Sequence, residues 1–111
     1  MDSQAFELDR VMNELRQSRH RYLGFLRVPD VSVGLYALPA GGVDPQQPHT
    51  EDEVYYVIGG RATIRAGGED RPLKPGSIVY VKAGVEHHFH SIVEDLSVLV
   101  FFAPAEGTGT A

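Results

Sequence analysis

The sequence predicts an all-β domain, a single antiparallel sandwich or barrel, preceded by one short α-helix. Three observations carry this. Short strand-like runs follow one another from Tyr22 to Phe102. Glycine, proline and acidic pairs separate them at nearly regular intervals, which is the rhythm of a sandwich or barrel. Helical periodicity is confined to the chain before residue 21, and no βα alternation follows.

The elements are expected in this order. Residues 3–20 read as a helix, with Leu8, Val11, Met12 and Leu15 at i, i+3, i+4 and i+7 and Asp2 or Ser3 as the cap. The stripe would lie across a sheet or on a partner subunit. Arg16, Arg19, His20 and Arg21 close the segment, where cations favour a helix C-terminus. Strands are expected at 22–28 and 31–38, parted by Pro29-Asp30. Residues 39–48 form a Gly/Pro/Gln-rich loop. Further strands are expected at 53–58, 61–66, 71–74, 77–81, 87–93 and 96–102. Gly59-Gly60 and Gly67-Gly68 read as hairpin turns, since glycine supplies positive φ. The chain thus divides into a helical segment (1–21), a β domain (22–103) and a small, polar, frayed tail (104–111).

Composition narrows the function classes. A chain of 111 residues is the size of one domain, able to bury roughly 65% of its unfolded surface. The net charge of −5 argues against nucleic acid, which needs a broad basic face. Cysteine is absent, which removes disulfides, thiolate ligands and a cysteine nucleophile. No run approaches the ~20 apolar residues of a membrane helix, and the acidic N-terminus lacks a signal pattern. A cytoplasmic protein is expected.

The chemistry concentrates in two stretches, Gln47 to Gly60 and Gly76 to Ser91. Imidazole and carboxylate are ligands for divalent iron, zinc, manganese and nickel. Along an extended strand alternate residues share a face, so Gln47 and His49 point the same way, with Glu53 one short turn later. His87 starts another strand, with Phe89 and Ser91 on its face and His88 and His90 on the other. A fold that sets residues 47–53 beside residue 87 would gather an amide, two imidazoles and a carboxylate at one point, with positions left for water or substrate. Glu51 shares the parity of His49 and Glu53 but reads as a solvent-facing turn charge. Tyr36, Tyr55, Phe89 and Phe101 are aromatic β-formers expected in the core. Tyr55 and Phe89 share the faces of Glu53 and His87, which makes them the first choice for a pocket wall. No nucleophile elbow or nucleotide loop is present.

These two stretches resemble the motifs of the cupin family. Gly41, His49, Glu53 and Gly60 match the first motif in spacing, with Gln47 where its first histidine belongs. Gly76, Gly84 and His87 match the second, with Lys82 in place of its proline and Ser91 in place of its asparagine. The resemblance implies a single antiparallel β-barrel of the double-stranded β-helix, or jelly-roll, type. It implies one divalent ion (iron, manganese, nickel or zinc) held by His49, Glu53 and His87, with Gln47 in the fourth place as a ligand, as a hydrogen-bond partner of one, or as a solvated loop residue. Tyr36, Tyr55, Phe89 and Phe101 are the expected wall of the pocket beside it. It further implies a homodimer and a metal-dependent enzyme of dioxygenase, isomerase or lyase type acting on a small organic substrate. The alternative is a non-catalytic barrel that binds or senses a small molecule over a weak or vestigial metal site.

Overall fold

The computed structural model describes residues 2–108. In chain order the elements are α1 (Leu8–Gln17), β1 (Tyr22–Val28), β2 (Val31–Leu38), β3 (Asp52–Ala66), β4 (Glu69–Leu73), β5 (Ile78–Val81) and β6 (His87–Ala103). The six strands form one antiparallel sheet in the order β1-β2-β6-β3-β4, with β5 paired to β3. Among the described residues no helix is long and apolar enough to cross a membrane.

Helix α1 is shorter than its periodicity suggests. Glu7, extended and with no side-chain cap, precedes its first turn; neither Asp2 nor Ser3 caps it. At the other end the Ser18 N–H reaches the Glu14 and Leu15 carbonyls, and its hydroxyl donates to Leu15 at 2.7 Å. Val11 and Leu15 are buried against Leu35. Val11 and Leu15 of the apolar stripe thus pack on the chain's own sheet, while Leu8 stays 38% exposed.

Strands β3 and β6 depart most from expectation. Gly59-Gly60 does not reverse the chain, and Glu94-Asp95 does not divide β6. Both lie inside long strands that pair with each other from Asp52↔Ala103 to Ala66↔His87, through register shifts between Val57 and Thr63. Gly60 has φ 92, which glycine adopts freely and which suits a bulge as well as a hairpin. The reversal occurs only at Gly67-Gly68, before β4.

The bulges switch the inward face. On β3 the buried residues are Glu53, Tyr55 and Val57 before the glycines, then Ala62 and Ile64 after them. On β6 they are His87 and Phe89, then Ile92, Leu96, Val98, Val100 and Phe102. Ser91 has φ 50, a left-handed conformation that asparagine, its counterpart in the resemblance, enters more readily. One extra residue there turns odd-numbered inward positions into even ones.

The same bulges let the β3–β6 ribbon curl. Glu53 and His87 stand at opposite ends of it: Glu53 pairs with Phe102, and His87 with Ala66. A straight ribbon would part them by roughly 40 Å at about 3.3 Å per residue. Instead β5 lies beside the start of β3, with Val81 opposite Glu53. The turn after β5 then delivers His87. That turn is tied to the loop before β3, since the Gly84 N–H donates to the His49 carbonyl at 2.7 Å and the Ala83 N–H to Asp52 at 2.8 Å. Inside the curl lies the main core of Leu38, Tyr55, Ile64, Phe89, Leu96 and their neighbours.

Residues 104–108, expected to fray, are docked. Ala105 is 1% exposed, its N–H donates to the Pro29 carbonyl at 3.2 Å, and the Glu106 N–H donates to Ser32 Oγ at 2.8 Å. The rest of the expected tail lies outside the described residues.

Candidate metal centre

His49 comes from the loop before β3, Glu53 is the second residue of β3, and His87 is the first residue of β6. Their ligand atoms all lie within 4.8 Å of one another. His49 Nδ1 is 2.5 Å from Glu53 Oε1, and His87 Nε2 is 3.3 Å from the same oxygen. Glu53 and His87 are buried, at 1% and 4% exposure. The His87 Nδ1–H donates to the Val85 carbonyl at 2.9 Å, so in the neutral ring Nε2 keeps its lone pair for the site, the arrangement of a metal-ligating histidine.

The atoms left over suit a cation. Among the described residues, His49 Nδ1 and Glu53 Oε2 are buried with no hydrogen-bond partner. The 2.5 Å approach of His49 to Glu53 is therefore a close contact without hydrogen-bonding direction. Orphaned buried polar atoms cost about 1–3 kcal/mol each, and two on adjacent ligand groups suit an ion shared between them. Two imidazoles and a carboxylate are a donor set for iron, manganese, nickel or zinc.

The amide expected from Gln47 comes instead from Gln46. Gln47 is exposed, whereas Gln46 Oε1 lies 3.2 Å from His87 Nε2 and accepts from the Tyr55 hydroxyl at 3.1 Å. The strand parity that selected Gln47 does not apply, because residues 39–51 are irregular. Gln46 is oriented by Asp44, whose Oδ2 accepts from its amide nitrogen at 2.6 Å. Asp44 also accepts from the Tyr36 hydroxyl at 2.6 Å and the Phe89 N–H at 2.8 Å. It is a buried hub outside the ligand set, and no local signal in the loop sequence marks it. Glu51, read as a solvent-facing charge, is buried and accepts from the Thr50 hydroxyl. His88 is exposed and His90 half-buried beside Asp70, at 2.9 Å.

A cavity of about 250 Å³ opens onto His49, lined by Tyr22, Tyr36, Gln46, Val100, Phe102 and Glu106 among others. Of the four expected wall residues, Tyr36 lines it. Tyr55 and Phe89 lie in the core beneath, with Tyr55 6.0 Å from the His87 ring and 5.0 Å from Phe89. Phe101 is on the opposite face of β6; Phe102 takes its place, 5.0 Å from the His49 ring. The parity switch at Ser91 is the cause. Tyr22 reaches the wall by crossing Gly34, where any Cβ would fall inside its ring.

The charges interlock. Burial alone would raise the Glu53 pKa, but His49 and His87 outweigh it and bring it down to about 2. Contact with Glu53 holds His49 above the ordinary 6.5, against the pull of burial. Burial lowers His87, yet Glu53 and the Val85 carbonyl leave it net raised. Burial pushes the Tyr55 phenol far up, so it stays a donor. A lowered carboxylate stabilises the fold above its unfolded value near 4.5 and loses that contribution as pH falls toward 2. A raised imidazole stabilises below 6.5 and loses it as pH rises through the raised value. Metal-free protein is therefore expected to melt at its highest temperature between about pH 4.5 and 6.5. Melting in chelator across pH checks this, and a rise in Tm from pH 6 to pH 8 would contradict it.

A family model described as "Cupin domain" matches residues 34–102. The chain is 54% identical over 102 residues to an uncharacterised protein of Streptomyces coelicolor, covering 92% of this chain and 97% of that protein. Among solved structures it is similar to a protein of Thermus thermophilus, with TM-score 0.73, 26% identity, and 93% and 99% of the two chains covered. It is also similar in fold to a DMSP lyase of Ruegeria pomeroyi, with TM-score 0.69, 22% identity, and 86% of this chain and 55% of that one covered.

Proposed function

We propose that this chain, which belongs to the cupin domain family, binds one divalent metal ion through His49, Glu53 and His87 and is a metal-dependent enzyme acting on a small organic substrate. The observation that carries the reading is the convergence of three buried or half-buried ligand groups within 4.8 Å, two of them with an orphaned atom. The Gln46 side-chain oxygen stands ready as a fourth, neutral donor. A bound ion would supply Lewis-acid polarisation of a substrate oxygen or a site for dioxygen, the chemistry of isomerases, lyases and dioxygenases.

The chain's own residues set the conditions. Glu53 remains a carboxylate across the working pH range. Val85 fixes the His87 tautomer, and Asp44 fixes Gln46. Phe102, Val100, Tyr22 and Tyr36 wall the cavity, limit water and leave room for a small substrate. The neutral amide beside the site favours a second reading, a ligand-sensing barrel without turnover, since an amide oxygen holds an ion less tightly than imidazole does.

The test is metal content by mass spectrometry on untagged protein purified without chelator, beside His49→Ala. Near one equivalent, lost in the variant, is expected. No ion after anaerobic addition of iron, manganese, nickel and zinc would overturn the metal reading. A loaded protein that turns over no small hydroxy, keto or carboxylic acid would favour the sensing barrel.

We also propose a homodimer in the cytoplasm. A reducing setting agrees with the absence of cysteine. The dimer is supported by β5, which among the described residues pairs only with β3 and presents Ile78 and Tyr80 at 70% and 60% exposure beside Tyr56; such an edge invites a partner. Ile78→Lys is expected to shift the mass in sedimentation equilibrium from dimer to monomer. A dimer in the variant would exclude this face, and a monomeric native chain would refute the dimer.

A further inference from the structure

His49 stands between two carboxylates. Its Nδ1 is 2.5 Å from Glu53 Oε1 inside the site, and its Nε2 is 3.6 Å from Glu106 Oε2 at the cavity mouth. The ring itself is packed between Phe102, at 5.0 Å, and His87, at 5.5 Å. Packing of this kind fixes the plane of an imidazole but not which edge faces inward. A half-turn about χ2 changes the shape little, because that torsion is broad and roughly two-fold. What chooses the orientation is the polarity at each end.

Glu106 supplies that polarity at the outer end. An ionised carboxylate only accepts hydrogen bonds, so it favours the ring with its N–H outward and the Nδ1 lone pair toward Glu53 and His87. At 3.6 Å the contact is an ion-pair distance, and the hold is electrostatic. The carboxylate is placed by its backbone: the Glu106 N–H is tied to Ser32 Oγ, the preceding Ala105 is buried and tied to Pro29, and the Thr108 N–H closes on the Ala105 carbonyl at 3.1 Å. A segment of small residues is anchored at the residue that sets a carboxylate beside His49.

We infer that Glu106 is a positioning residue for the metal centre, holding His49 with Nδ1 turned inward as a ligand. This rests on the metal reading above. It also explains the docking of residues 104–108 across the mouth, where Glu106 is 40% exposed and forms part of the cavity wall.

The experiment is a competition titration of Mn²⁺ and of Zn²⁺ against a chelating indicator, on the full chain. The variants are Glu106→Gln, Glu106→Asp, His49→Ala, the Glu106→Gln/His49→Ala double variant, and Glu94→Gln as a remote charge control. Outer partners of metal-ligating histidines are worth about 10–100-fold in affinity. Glu106→Gln is expected to weaken binding about tenfold, Glu106→Asp to recover most of it, and Glu94→Gln to match the native chain. In the His49→Ala background, titrated at metal concentrations high enough to read its weaker residual binding, the glutamine is expected to add nothing, because its effect passes through that ring. Native affinity in Glu106→Gln would overturn the inference while leaving the metal reading intact. So would an equal loss in the His49→Ala background, which would mean that Glu106 acts on the ion's field directly. A native chain that binds neither ion would overturn the metal reading, and the role of Glu106 with it.

Discussion

His87→Ala is expected to lower metal affinity at least tenfold and to leave the fold in place. Removing an outer partner of a ligating histidine already costs about 10–100-fold, and His87 is itself one of three grouped side chains among the described residues that could hold an ion. Its Nε2 faces Glu53 Oε1 and Gln46 Oε1, so its loss takes away the nitrogen that both oxygens approach. The structural cost is contained. His87 is the first residue of β6, and its ladder partner is Ala66 at the end of β3. The variant gives up one hydrogen bond to Val85, about 1 kcal/mol, some packing beside Tyr55, and the His87 contact that helps keep Glu53 ionised, while His49 still faces that carboxylate. Circular dichroism should therefore show a native spectrum while the metal content falls. Unchanged metal content in a folded variant would remove His87 from the ligand set.

Gly60→Ala is expected to destabilise the domain and to open the site from a distance. Gly60 has φ 92, and a Cβ there would lie 2.7 Å from the Leu96 Cα, in addition to meeting the Asp95 carbonyl. The obstacle is backbone of the facing strand, so no rotamer change relieves it. A strained φ costs about 1–3 kcal/mol, and overpacking a further 1–3 kcal/mol or so. The loss falls at the bulge that lets the β3–β6 ribbon curl. Chemical denaturation should show it as a lower midpoint, and metal affinity should fall even where the variant is folded, because the curl brings Glu53 to His87. Native stability would mean that the bulge has slack the geometry does not show. Native affinity in a destabilised variant would separate the curl from the site.

The two motifs show how far local pattern reaches. His49, Glu53 and His87 are legible because their spacing to glycines is fixed and the structure does bring them together. Motif spacing and strand parity both point to Gln47, but parity holds only within a strand; residues 39–51 form an irregular loop, and the neighbouring Gln46 faces the site. Phe101 fails for a related reason. Counting by twos from His87 holds as far as Phe89, but Ser91 at φ 50 inserts a residue, and Phe102 becomes the wall. Tyr22 and Glu106 lie far from either motif along the chain, and only the sheet and the docking of Ala105 carry them to the cavity.

The sequence by itself determined the class of fold, one short helix and a set of antiparallel strands, and named the three side chains, His49, Glu53 and His87, that the fold brings together. Those are encoded in hydrophobic period and in residue type, which are local. The tertiary structure alone decided that Gly59-Gly60 bends a strand instead of reversing it. Both outcomes use the same positive φ, and only pairing with β6 on either side of the glycines separates them. That same long-range pairing set which face of each strand turns inward, and so which amide, which phenylalanine and which outer carboxylate meet the histidines.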